Sequence, residues 1–144
     1  MYVEWGLMRK KVSLKLKCKV YMTCVRSAMV YGSDTWTMNV EQSARLEWTE
    51  MKIVRWMCGV SPRDRVPSAE LRERMKIELV SDVVKQNRLR WLGHVLRKDD
   101  GDWVKKNMSY EVEGVRGRGR PRTMWSHVVE RDMRERGLKR EDAQ

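Results

Sequence analysis

The chain has 144 residues, 41% hydrophobic and 35% charged, with 31 Lys and Arg against 20 Asp and Glu and a formal net charge of +11. That length fits one domain or a piece of a larger protein with a modest core, and no apolar run is long enough to span a bilayer. The charge balance favours a polyanionic partner, nucleic acid before an acidic membrane surface, and no membrane insertion. Glu4 and the cluster Arg9-Lys10-Lys11 interrupt any secretory core at the N-terminus. Cys18, Cys24 and Cys58 form an odd set at no metal-ligand spacing. In helical apolar settings they read as buried, reduced thiols of an intracellular protein.

The first helical pattern runs from about Val12 to Tyr31, with Leu14, Cys18, Tyr21, Met22, Val25, Met29 and Val30 recurring along it. Gly32 is placed to end it in the left-handed conformation. From Trp5 to Ser33 there is no acidic residue, while Arg9, Lys10, Lys11, Lys15, Lys17, Lys19 and Arg26 fall there. A face of one sign is an electrostatic footprint. After a connector around Trp36, a second helix spans about Val40 to Cys58, with Ala44, Trp48, Met51, Val54, Met57 and Cys58 as its stripe and Gly59 as its stop. Ser61-Pro62-Arg63-Asp64 is a turn. A short third helix begins at Pro67-Ser68, capped by Ser68, with Leu71 and Met75 inward. Ser81 caps a fourth helix that reaches about Arg97, with Val84, Trp91, Leu92, Val95 and Leu96 as its apolar face and Arg88, Arg90, Arg97 and Lys98 flanking it. Trp103 to Met108 has room for one or two helical turns, and Tyr110 to Gly114 reads as extended. A final helix covers about Thr123 to Arg136, with Trp125, Val128, Val129 and Met133 inward and Gly137 after it. The tail from Leu138 is expected to fray. The seven Trp and eleven Met read as core material, with Trp36 and Trp103 nearest the connectors and so best placed for base stacking.

Residues 114 to 125 read Gly-Val-Arg-Gly-Arg-Gly-Arg-Pro-Arg-Thr-Met-Trp. This stretch has no apolar periodicity, and its Gly and Pro favour an extended backbone from which Arg116, Arg118, Arg120 and Arg122 fan out. A thin cationic strand of that kind can follow a phosphate chain or enter a minor groove. Arg118-Gly119-Arg120-Pro121 resembles the AT-hook core, which lies in the minor groove of A·T-rich DNA. Nothing elsewhere points to catalysis. Asp99, Asp100 and Asp102 sit in a polar Gly-containing turn with no rigid strands beside them, so a helix-terminating loop explains them better than a metal site. His94 and His127 belong to no ligand series, although His94 shares a helix with Arg88, Arg90 and Arg97. No nucleophile elbow or phosphate-binding glycine loop is present.

Taken together, several stretches resemble the C-terminal part of the endonuclease–reverse transcriptase of non-LTR retrotransposons, especially RTE-type elements. They are Lys17 to Arg26 (KCKVYMTCVR), Val30 to Trp36 (VYGSDTW), Met51 to Gly59 (MKIVRWMCG), Arg88 to Arg97 (RLRWLGHVLR) and Arg116 to Arg122 (RGRGRPR) with Trp125 following. Order and approximate spacing are similar over nearly the whole chain from about Ser13. In that family the polymerase site lies upstream, in a palm with an aromatic-x-Asp-Asp strand, and neither that strand nor the endonuclease domain is found here. The resemblance therefore implies a thumb-like helical region with a tail, a truncated or decayed copy that helps to hold template RNA, primer or target DNA.

The expectation is an all-α, irregular bundle of about five helices with a disordered or extended arginine-rich loop before the last. A thumb-like region is expected at 1–98, a polar linker with the loop at 99–122, and a C-terminal helix and tail at 123–144. The expected function is non-catalytic nucleic-acid binding without a cofactor or metal. Contacts would come from Arg116, Arg118, Gly119, Arg120, Pro121 and Arg122, from Arg88, Arg90, Arg97 and Lys98, and from Lys15 and Lys19. RNA or DNA is the expected partner, with a palm-bearing reverse transcriptase chain as a further one, in the nucleus rather than the cytoplasm. The alternatives are a decayed orphan without independent function and part of an RNA-directed DNA polymerase whose palm lies elsewhere.

Overall fold

Asn39 begins the longest helix by a reciprocal cap. Its side chain accepts the backbone N–H of Gln42, and the Gln42 side chain accepts the N–H of Asn39. Gly59, at φ 68°, closes the helix in the left-handed region that a glycine tolerates. The structure, a computed structural model, describes residues 12–110, 119 and 123–143. It is all-α: α1 (Leu14–Val20), a π-helical segment (Tyr21–Arg26), α2 (Ser27–Met29), α3 (Val40–Cys58), α4 (Ser68–Met75), α5 (Val80–Leu96), α6 (Trp103–Ser109) and α7 (Trp125–Glu135), with single 3-10 turns at Ser33–Thr35, Pro62–Asp64 and Arg140–Ala143. Among the described residues there is no strand.

Two compact units emerge. One joins the residues up to Tyr31 with Asn39–Val83, and the other joins Gly32–Met38 with the residues from Val84 on. The division falls inside α5, and the Trp36 connector belongs to the second unit.

In the first unit, Tyr21, Met51, Val54, Met57, Leu71, Met75 and Ile77 form the core, with Leu14, Cys18, Ile53, Cys58, Val60 and Val66 packed around it. Burial pushes the Cys58 thiol up. Tyr21 and Arg26, five residues apart, are both buried. A 3.6-residue helix would turn them to different faces. The i to i+5 geometry of the π-helical segment brings both toward Glu50 of α3, itself fully buried. The Tyr21 hydroxyl donates to Glu50 Oε1 at 2.7 Å, and Arg26 Nε lies 3.4 Å from the same oxygen. Arg26 Nη2 donates to the Glu78 carbonyl.

This widened turn revises the expected stripe, for Met22 and Val25 are exposed. On α3, Trp48 faces solvent with Lys52 Nζ 3.5 Å above its ring, and Ala44 is exposed as well. Cys24 is exposed rather than buried. Ser68 and Ser81 are not caps. Pro67 holds the position before α4, and Ser81 lies inside the first turn of α5, where its hydroxyl donates to Glu47 Oε1 at 2.6 Å.

The second unit centres on Leu92, Val129 and Met133, with Leu89, Leu96 and Trp125 against them. Polar contacts fasten the connector here. Asn87 Nδ2 donates to Ser33 Oγ at 2.8 Å, Trp125 Nε1 to the Asp34 carbonyl at 2.7 Å, and Arg88 Nη1 to the Trp36 carbonyl at 3.3 Å. Asp102 caps α6 by accepting the Val104 N–H at 2.8 Å. The tail forms one turn over Arg140–Ala143 instead of fraying, with the Asp142 carboxylate accepting the Lys139 N–H at 2.7 Å.

Candidate nucleic-acid interface

The basic residues expected to meet phosphate fall into distinct environments. In the first unit, Lys15 and Lys19 are both exposed on α1, one helical turn apart, with no acidic residue in the helix. Lys17, between them, is half-buried and its Nζ reaches the Met57 carbonyl at 3.5 Å. Lys15 and Lys19 are thus a small cationic face, held outward because the opposite side of α1 places Leu14 and Cys18 on the core.

In the second unit, Arg90, His94 and Arg97 lie along one face of α5, at successive helical spacings. They border a cleft of about 360 Å³ with Trp91, Asn87 and Asp34. The Trp91 and His94 ring centroids lie 5.6 Å apart. Lys98 is engaged by Asp102 Oδ2 at 2.9 Å.

Arg88 is corrected outright. It is not a flank of α5 but part of the interior, 4% exposed, with Nε and Nη2 donating to Asp132 Oδ2 at 2.8 and 2.6 Å. Asp132, on α7, is fully buried. A guanidinium held in this fork has no face left for phosphate. The signal was in the spacing. Val84, Arg88, Leu92 and Val95 share the inward register of α5, just as Asp132 shares that of Val128 and Val129 on α7. Glu50, four residues before Val54, is the same case on α3.

Arg116, Arg118, Arg120, Pro121 and Arg122 lie outside the described residues. Gly119 is described, at φ 151°, a positive-φ conformation that a side chain would resist. Trp36 is half-buried, while Trp103 is 71% exposed at the start of α6.

The aspartates around residue 100 have structural partners. Asp100 Oδ1 lies 2.6 Å from Lys105 Nζ, and that hydrogen bond holds its carboxyl below the usual range. Asp102 is likewise lowered, first by Lys98 and then by the Val104 N–H it caps. Among the described residues no group of His, Cys, Asp and Glu is clustered as a metal site requires, and no helix is long and apolar enough to cross a membrane.

Sequence reasoning passes over one further feature. Tyr110 and Met124, which bracket the arginine stretch, line a single cleft of about 620 Å³ in the second unit. Their closeness follows from the fold of α6 and α7 and leaves no mark in sequence spacing.

No family model matches the chain, and no solved structure matches it. It is similar to an uncharacterised transposon-derived protein of Caenorhabditis elegans, at 30% identity over 94 residues. The match covers 62% of this chain and 34% of that protein, so the chain spans about a third of its relative's length. The similarity is to a protein of transposon origin.

Proposed function

We propose that the chain is a non-catalytic nucleic-acid-binding module, related to the C-terminal part of a non-LTR retrotransposon reverse transcriptase. The observation that carries this reading is the outward placement of basic residues whose helices are otherwise anchored inward. Lys15 and Lys19 on α1 and Arg90 on α5 stand clear of the cores. The four arginines at 116, 118, 120 and 122 supply the densest charge. Similarity to a transposon-derived protein supports the origin. Arg88 leaves the set of contacts, and Lys98 contributes only if it gives up Asp102. In the parent polymerase the catalytic palm lies upstream, so this module holds RNA or DNA for a palm-bearing chain, in the nucleus.

The test is a fluorescence-anisotropy titration across salt concentrations. Replacing Arg116, Arg118, Arg120 and Arg122 together by Ala is expected to weaken binding. It should also flatten the log–log salt slope by about 0.9 for each duplex phosphate that is no longer neutralised. Unchanged affinity and slope in that variant would remove the arginine stretch from the interface.

A second reading, an orphan fragment without independent function, draws on the exposure of Tyr31, Trp48, Trp56 and Trp103, at 85, 61, 55 and 71%. Large apolar groups left in water favour association. On this reading the purified chain sediments as a concentration-dependent oligomer and shows no salt-sensitive nucleic-acid binding. A monomer that binds would end it.

A further inference from the structure

Asn87, Arg88 and Trp125 fasten the connector beside α5, with hydrogen bonds to Ser33 Oγ, the Trp36 carbonyl and the Asp34 carbonyl at 2.8, 3.3 and 2.7 Å. All three donors are buried or half-buried, so this wall is fixed. The cleft of about 360 Å³ that Asp34 lines together with α5 is therefore formed before any ligand arrives.

Arg90, His94 and Arg97 are exposed and line this cleft. Arg90 and Arg97 lie about 10 Å apart along the helix axis, with His94 between them. Half-buried Trp91 lines the cleft as well, its ring centroid 5.6 Å from that of His94. Of the described lining residues only Asp34 is acidic. Two guanidiniums outweigh its carboxylate even beside a neutral imidazole, so the cleft favours an anion. A guanidinium fork matches the oxygens of a phosphate, and an imidazole supplies an N–H donor in either tautomer.

The same two arginines line a second cleft, of about 260 Å³, toward α7 and the tail, where Lys139 joins them. The acidic residue there, Asp142, already accepts the Lys139 backbone N–H at 2.7 Å. Arg90 and Arg97 thus form a cationic ridge shared by two clefts. A ridge of this kind suits a ligand whose anionic groups repeat along a chain, because a second charge can be held where the first cleft ends. A nucleic-acid strand carries a phosphate on every residue.

We infer that Arg90, His94 and Arg97 form a phosphate site, which holds a backbone phosphate of a nucleic-acid strand in the cleft beside Trp91 while neighbouring phosphates pass toward Lys139. The inference rests on the nucleic-acid-binding reading above, adds His94 to the contacts, and uses only residues of the second unit around α5.

The full chain is titrated by fluorescence anisotropy with labelled single-stranded DNA of about 12 nucleotides, within the usual site sizes. A labelled peptide nucleic acid of the same sequence, whose backbone is uncharged, is the second probe. Inorganic pyrophosphate and polyglutamate, at matched charge concentration, are the competitors. The expected result is binding to DNA, none to the uncharged strand, and little displacement by either competitor. Arg90→Ala is expected to weaken DNA binding about tenfold, the low end for a hydrogen bond to a charged group. It should also flatten the single-strand salt slope by about 0.7, the value of one phosphate. His94→Ala should weaken binding about 2- to 10-fold, and His94→Gln, which keeps an N–H donor, should recover most of it. Arg134→Ala removes the same charge from an exposed position on α7 that lines neither cleft, and leaves affinity and slope unchanged.

Parent-like binding in either Arg90→Ala or His94→Ala, or an equal loss in Arg134→Ala, overturns the site while the nucleic-acid reading stands. Full displacement by pyrophosphate identifies a free phosphate as the ligand, and full displacement by polyglutamate an acidic polypeptide; each overturns the assignment to a strand. Absence of DNA binding by the parent at low salt overturns the nucleic-acid reading itself. Arg90 and His94 are exposed, so unchanged thermal unfolding of their variants separates loss of contact from loss of fold.

Discussion

Replacing Arg88 by alanine is expected to destabilise the chain by about 3–5 kcal/mol, the usual cost of leaving one partner of a buried ion pair alone. Asp132 is fully buried, and Arg88 supplies both hydrogen bonds to its Oδ2. Its Oδ1 has no hydrogen-bond partner among the described residues, so nothing in reach compensates the loss. The variant also frees the Trp36 carbonyl, which Arg88 otherwise holds. Urea unfolding should show a large fall in midpoint. Arg88→Lys is expected to recover little, because a single ammonium cannot reproduce the planar fork. A double change, Arg88→Met with Asp132→Leu, should recover much more, since a buried ion pair replaced by apolar groups of similar size is often neutral or better. Arg90→Ala, an exposed neighbour on the same helix, should alter stability by no more than about 0.5 kcal/mol. If Arg88→Ala were as stable as the parent but bound nucleic acid more weakly, the arginine would belong to the interface after all.

Glu50→Ala is expected to cost a comparable amount, about 3–5 kcal/mol, by stranding the buried Arg26 guanidinium. Tyr21→Phe removes only the hydrogen bond to Glu50 and should cost about 1.5–3 kcal/mol, as for bonds to charged groups. The two variants differ in pH dependence. Burial, then the hydrogen bond to Glu50, pushes the Tyr21 phenol well above its ordinary value of 10.0. Above pH 10 the unfolded chain loses this proton while the folded chain keeps it, so the folded state binds more protons and stability falls as pH rises. The contribution of Tyr21 is thus present in full below about pH 10 and is lost progressively above it, at up to about 1.4 kcal/mol per pH unit. Tyr21→Phe should flatten this alkaline limb in unfolding experiments run from pH 8 upward. An identical limb in the variant would place the titrating group elsewhere.

Both predictions concern charges that the sequence displays but does not locate. Val84, Leu92 and Val95 read correctly as the inner face of α5 and are buried, yet Arg88 in the same register reads as a flank. A charge at an inward position can either turn the helix or find a partner, and Asp132 lies 44 residues away. Trp48 reads inward by its place in the helical stripe, whereas α3 buries Glu50 and leaves the indole under Lys52. Within the stretch from Val30 to Trp36, Ser33, Asp34 and Trp36 are fastened to Asn87, Trp125 and Arg88, so these three residues serve packing in the second unit.

Local chemistry alone determined the all-α class, the limits of α3 between Asn39 and Gly59, the inward faces of α4 and α7, and the positive character of the surface. Each depends on caps, periodicity or composition, and these act within a few residues. Only the tertiary structure decided the π-helical turn that aims Tyr21 and Arg26 at Glu50, the burial of Arg88 with Asp132, and the meeting of Tyr110 and Met124 at one cleft. Those outcomes depend on partners from distant parts of the chain, and a buried charge or a shared cleft exists only once the elements that form it have packed.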